Sequence, residues 1–147
     1  MSETRDFAAE LCRGTIRLLA QQGFPALTEV SLANNRRADI LALGRNGEIR
    51  IVEIKSSPAD FGADRKWPDY RDFCDRFYFA VGAGFDETLI PKDCGLIRAD
   101  AWGAALVREA PMTALSAPRR RAVTLRFALV AGLRLSHLLD PDFFPEL

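Results

Sequence analysis

From Phe7 to Leu19 the apolar residues Ala8, Leu11, Cys12, Ile16 and Leu19 return every three or four positions, with Glu10, Arg13 and Arg17 on another face. That spacing predicts an amphipathic helix. Ser2 or Thr4 can cap its start and Gly23-Phe24-Pro25 its end, while Gly14 inside it costs about 1 kcal/mol relative to alanine. Three alternating runs follow, Thr28 to Leu32, Arg37 to Leu43 and Glu48 to Lys55, separated by Asn34-Asn35 and Arg45-Asn46-Gly47. They predict a β-meander. Pro58 and the mixed stretch to Lys66 break the pattern. Trp67-Pro68-Asp69-Tyr70 then opens a second helix running to about Cys74, with proline accepted in its first turn. Phe77 to Val81 is a continuous apolar run, as in a central strand buried on both faces. Gly95 to Ala101 and Ala104 to Glu109 form a weaker outer hairpin around Trp102-Gly103, and Pro118 to Leu139 is a last helix rich in arginine and leucine. The order α-β-β-β-α-β-β-β-α describes an α/β fold, a central mixed sheet flanked by helices, in one domain over residues 1–147.

Composition narrows the functions such a domain can serve. With 48% hydrophobic residues the chain buries roughly 70% of its unfolded surface, so intrinsic disorder is excluded. Twenty basic residues balance twenty acidic ones, so any nucleic-acid contact comes from a local patch. Cys12, Cys74 and Cys94 are odd in number and widely spaced, which points to a reducing compartment and not to a disulfide framework. The charged amino terminus lacks a signal-peptide core, and the apolar stretch Phe127 to Leu133 is short of the ~20 residues of a membrane span. A cytoplasmic protein with no membrane association is expected.

Candidate chemistry lies on the third strand, where Glu53 and Lys55 are two apart and share a face. Whether Asp39 joins them depends on register. A two-residue Asn46-Gly47 turn would set Leu43 against Arg50 and Ile40 against Glu53. A three-residue loop with Gly47 in the left-handed bulge position sets Leu43 opposite Ile49, Leu41 opposite Ile51 and Asp39 opposite Glu53. The second register pairs apolar with apolar and is the one expected. Two carboxylates across a strand pair repel unless a cation lies between them, and hard oxygen ligands suit magnesium, with manganese as a substitute. Lys55 would orient a water or steady charge on a phosphate. On spacing alone, the commoner explanation is an exposed strand with a Glu-Lys pair and an unrelated aspartate.

The helix, Arg37-Ala38-Asp39 on one strand, Val52-Glu53-Ile54-Lys55 on the next, then a helix and a buried strand, resemble the PD-(D/E)XK, or restriction-endonuclease-like, nuclease core. Within that superfamily, Val52 to Ser57, Asp60, Asp64 to Tyr70 and Cys74 to Val81 resemble the MmcB-like DNA repair proteins, a far more specific match covering most of the chain from about Glu10. The resemblance implies metal binding by Asp39, Glu53 and the carbonyl of Ile54, a catalytic Lys55, and Glu10 on the first helix as a further ligand or ligand support. Lys66 and Tyr70 stand where many members have Gln-x-x-x-Tyr, and Ala38 replaces the proline of the superfamily's name. Several members bind nucleic acid without cutting it.

Gly82-Ala83-Gly84 resembles a nucleotide-binding loop, but Glu87 stands at the third glycine. His137, the only histidine, excludes a paired-histidine zinc site. Arg119-Arg120-Arg121 opens the last helix, where a phosphate would relieve its unfavourable charge, and a solvated helix end explains it equally well. Arg36 and Arg37 flank the metal candidates and would hold DNA phosphates, with Ser57 and Lys66; Trp67 and Tyr70 would stack on an unpaired base, although an aromatic opening a helix is more often core. The expected function is a magnesium-dependent DNA phosphodiesterase of repair type. Its partner would be damaged, branched or single-stranded DNA, and a homodimer is left open. A non-catalytic DNA-binding or scaffold protein and an RNA-directed nuclease are the alternatives.

Overall fold

The computed structural model describes residues 2–144, with side chains from residue 6 onward, so the expected caps Ser2 and Thr4 lie outside the described side chains. Helix α1 (Ser2–Gln21) leads into β1 (Ala26–Ser31), β2 (Arg37–Leu43) and β3 (Ile49–Lys55). Then come α2 (Pro58–Ala63), a 3-10 helix (Trp67–Phe73), β4 (Arg76–Val81), a 3-10 turn (Glu87–Leu89), β5 (Gly95–Ala99), β6 (Ala104–Arg108) and α3 (Ala117–Leu139). The six strands form one open sheet in chain order. β4 is parallel to β3 and to β5, and the outer pairs are antiparallel.

The hairpin β2–β3 has the three-residue loop. Leu43 pairs with Ile49 and Leu41 with Ile51, Gly47 has φ of +88°, and the N–H of Gly44 donates to the carbonyl of Glu48 at 2.8 Å. A left-handed φ favours glycine, so Gly47 sets the register that puts Asp39 and Glu53 on one face.

Alternation along the strands builds two cores. Ile40, Ala42, Val52, Tyr78, Ala80 and Ile97 face Leu19 of α1 and Phe24 after it, while Leu41, Ile51, Phe77, Phe79 and Leu96 face the 3-10 helix and α3. Two connections differ from expectation. The stretch after Pro58 forms α2, because Ser57 Oγ accepts the N–H of Asp60 at 3.1 Å, Asp60 Oδ2 accepts the N–H of Ser56 at 3.2 Å, and proline occupies the first turn. The segment from Trp67 is a 3-10 helix. Its aromatics Trp67, Tyr70 and Phe73 recur every three residues, the period of that helix, and all three pack into the core. α3 is long and apolar enough, by length and composition alone, to cross a membrane, a wider window than Phe127 to Leu133. Here Val123, Phe127 and Val130 seat its inner face on the sheet.

Gly14 has a packing reason that outweighs its helix propensity. A Cβ there would lie 1.9 Å from the carbonyl oxygen of Asp100 and 2.4 Å from that of Gly103, so α1 rests directly on the β5–β6 turn. Arg17 donates to the carbonyl of Trp102 at 3.0 Å, and the Arg13 guanidinium lies 5.0 Å from the centre of its ring. Gly14→Ala is therefore expected to lower stability by about 1–3 kcal/mol through overpacking, where propensity alone would raise it by about 1 kcal/mol. A urea midpoint at or above that of the native protein would show that the approach relaxes freely.

Candidate functional site

The β2–β3 backbone ladder runs to the pair Ile40–Val52, and beyond it two carboxylates take over the hydrogen bonding. The N–H of Asp39 donates to Glu53 Oε1 at 3.0 Å, and the N–H of Ile54 donates to Asp39 Oδ2 at 2.8 Å. Each acid orients the other's strand and keeps one further oxygen, Asp39 Oδ1 and Glu53 Oε2, that receives no N–H among the described residues. Glu53 is only 5% exposed. Burial pushes the carboxyls of both Asp39 and Glu53 upward, and the charge of Asp39 pushes Glu53 further. Such a pair calls for a shared proton or a cation.

Lys55 is likewise buried, its Nζ 2.7 Å from Asp64 Oδ2 and 3.8 Å from Asp60 Oδ1. Asp64 Oδ1 also accepts the N–H groups of Lys66 and Trp67. Against the upward push of burial, Lys55 and those N–H groups hold the Asp64 carboxyl below its usual range. Sequence reasoning gave Asp60 and Asp64 no role. Their signal was the four-residue spacing immediately after the Ser57 cap, which turns both toward Lys55.

A cleft of about 520 Å³ opens over Asp39, Glu53, Ile54 and Lys55, walled by Ala8, Ala9 and Cys12 of α1 and by Glu29 of β1. Glu10 does not reach it. Ala8 and Cys12, one turn apart, take the inward face, and Glu10 between them points to solvent, which corrects its expected place as a ligand. Burial, then the charges of Asp39 and Glu29, push the Cys12 thiol up to about 11, so it is no thiolate. Glu29 is a third carboxylate that sequence reasoning missed. It stands beside Asp39 between the pairs Thr28–Ile40 and Val30–Ala38, with an unusual φ of +51°.

A neighbouring cleft of about 450 Å³ shares Lys55 and Asp60 with the first and is bordered by Asp64, Lys66 and Tyr70. Tyr70 donates to the carbonyl of Arg37 at 3.0 Å. Burial, then the charge of Glu53, push its hydroxyl up to about 12. Lys66 and Tyr70 therefore border a cleft contiguous with the carboxylates. Arg37 is exposed, 3.9 Å from Glu29, and Arg36 is held by Asp69 at 3.0 Å. Ser57 caps α2.

Trp67 is withdrawn from base stacking. Its ring stacks on Phe77 at 5.9 Å, meets Phe79 edge-on at 5.4 Å, and lies 5.0 Å from the Arg71 guanidinium. The arginine run at the start of α3 is also largely structural. Arg119 donates to the carbonyl of Asp72 and lies over Phe73, and Arg120 grips the buried Asp75 with two hydrogen bonds of 2.6 Å. Arg121 alone of the three makes no such bond among the described residues.

No three His, Cys, Asp or Glu side chains converge as a ready metal site among the described residues. Two facing carboxylates remain, each with an oxygen that receives no N–H among the described residues, beside the backbone of Ile54. That donor set fits magnesium, which keeps several waters and takes one or two carboxylates. It does not fit zinc, which prefers three or four sulfur, nitrogen or carboxylate ligands.

Fold and site together define an α/β protein whose open mixed sheet carries a facing carboxylate pair and a buried lysine in a cleft under its first helix. The model of the family described as DNA repair protein MmcB-like matches residues 2–142, and the chain belongs to that family. A solved structure, the SPO1766 protein of unknown function from Silicibacter pomeroyi, is similar, with 42% sequence identity, 92% of each chain covered and a TM-score of 0.89. Comparison with curated proteins finds no match.

Proposed function

We infer that the chain is a magnesium-dependent DNA phosphodiesterase acting in DNA repair, on a core of the PD-(D/E)XK type. The observation that carries this reading is the facing pair Asp39 and Glu53, desolvated and each with one oxygen that receives no N–H among the described residues, with Lys55 two residues on. Asp39, Glu53 and the carbonyl of Ile54 would hold magnesium or manganese, which supplies positive charge for a phosphodiester oxygen and an attacking water. Asp64 anchors Lys55 beside the carboxylates through their ion pair, so its ammonium orients that water or steadies charge on the phosphate. Exposed Arg37 and Lys66 meet flanking phosphates, and Tyr70 fixes the β2 end of the cleft through the carbonyl of Arg37. Family membership supports a role in repair, and damaged, branched or single-stranded DNA suits a cleft open at the sheet's end.

One observation favours a non-catalytic DNA-binding or scaffold reading: two carboxylates converge where a ready metal site has three or more ligands. Cleavage assays on branched, single-stranded and duplex DNA and on RNA, with magnesium or with chelator, separate the two. Magnesium-dependent scission of a DNA is expected. Salt-sensitive DNA affinity with no scission, indifferent to magnesium, would replace the catalytic reading by the binding one. Scission of RNA alone would redirect it to an RNA nuclease.

A further inference from the structure

The inner face of α3 is seated by Val123, Phe127 and Val130, and its outer face is left bare. Leu125 is 57% exposed, Leu129 48%, Leu135 56% and Leu139 77%, and Phe143 just past the helix is 55% exposed. These residues make one apolar stripe, with no charge on it between Arg121 and Asp140. A standard interface takes about 800 Å² from each partner. Monomers usually leave a largest patch of only about 300–600 Å².

The stripe is complementary to itself when reversed. In an antiparallel pairing about Gly132, Leu125 meets Leu139 of a second copy, Leu129 meets Leu135, and Ala128 meets Ser136. Gly132 meets its own equivalent at the crossing, and no atom lies within 4 Å of where its Cβ would stand, so the backbones can approach closely there. The same pairing brings Arg121, which has no protein partner among the described residues, beside Asp140 and Asp142 of the second copy. A groove of about 590 Å³ lined by Leu115, Arg121, Thr124, Leu125 and Ala128 lies where the second copy's Leu139 and Phe143 would arrive. Hydrophobic residues, charges and groove thus match under a single two-fold operation, the property of an isologous interface.

We propose that the outer face of α3 is the interface of a two-fold homodimer, the helices packing antiparallel about Gly132. No residue of the stripe lines the paired-carboxylate cleft. Sedimentation equilibrium of the full chain from 1 to 100 μM, on the order of ordinary working concentrations, is expected to show a dimer. Leu129→Glu, at an exposed position, should raise the dissociation constant about 100-fold or more, since the symmetry counts each substitution twice. Arg121→Glu and the double substitution Asp140→Arg, Asp142→Arg should each weaken the dimer, and their combination should restore it. A monomer throughout that range overturns the proposal, as does a dimer insensitive to Leu129→Glu. A dimer weakened by Leu129→Glu but not rescued by the charge exchange overturns the antiparallel register. A monomer that partitions onto phosphatidylcholine vesicles through Leu129 would assign the stripe to a lipid surface instead.

Discussion

Glu53→Gln should abolish magnesium-dependent DNA scission, by about 1,000-fold or more, while making the metal-free protein more stable at pH 8. Glutamine keeps the oxygen that accepts the N–H of Asp39, and its amide can donate to the Asp39 carboxylate, so the strand ends stay tied. It removes the second negative charge that holds the metal. The stability half follows from the carboxyl's position well above its usual range, caused first by burial and then by Asp39. As pH rises from the ordinary carboxylate value toward that raised value, the folded native protein holds a proton that the unfolded chain has released. Its stability therefore falls through that window. The variant lacks this loss, so the difference in its favour grows with pH and reaches at least about 1 kcal/mol, the equivalent of a single pKa unit. Cleavage assays and denaturation at pH 5, 6.5 and 8 measure both halves. Unchanged cleavage removes Glu53 from the site, and a stability difference flat in pH removes the repulsion.

Asp75→Ala should cost about 3–5 kcal/mol of stability, the cost of breaking a buried ion pair. Asp75 closes the join between the start of β3, the strap before α3 and α3 itself. Its carboxylate accepts the N–H of Ile49 and of Leu115, each at 2.8 Å, and two hydrogen bonds from Arg120 at 2.6 Å. Burial works to raise this carboxyl, but Arg120 and the two backbone groups outweigh it and hold it below its usual range. A lowered folded value means a contribution that is present above the ordinary carboxylate range and lost as pH falls through the folded value. Alanine strands the buried N–H of Ile49, the half-buried N–H of Leu115 and one guanidinium. Urea denaturation at pH 7 should show the loss with the slope unchanged, and Arg120→Ala should cost much less in the Asp75→Ala background than alone. A loss below about 1 kcal/mol would mean that water replaces the carboxylate.

The part of the site legible beforehand depended on local rules. Gly47 and the apolar pairs around the hairpin gave one consistent register, and that register alone placed Asp39 with Glu53. The expected α-β-β-β-α-β-β-β-α order lacked only α2 and the 3-10 turn at Glu87–Leu89, because the cap Ser57-x-x-Asp60 was lost behind Pro58. A period of three in Trp67, Tyr70 and Phe73 was available but resembles a short α-helical stripe at that length. Glu10 illustrates a different failure, since acidity marks a candidate ligand without saying which way a helix is rotated; Leu11, fully buried, fixes that rotation. Asp75 had no local signature at all. Its partners lie 26, 40 and 45 residues away in the chain.

The seat of α1 has a consequence for the order in which the molecule is made. Gly14, Arg13 and Arg17 rest on the turn between β5 and β6, 85 residues further along the chain for the Arg17 hydrogen bond. Helix α1 therefore has no complete landing place until the β5–β6 turn, 85 residues beyond Arg17 at Trp102, has followed it. The β2–β3 hairpin, with Asp39 and Glu53 on it, closes through pairs only six to twelve residues apart and so forms quickly, whereas its α1 wall arrives late. The cleft is thus finished from the outside in: the nascent chain carries its carboxylates uncovered, and a shaped pocket exists only once the far edge of the sheet has been synthesised and α1 has docked on it.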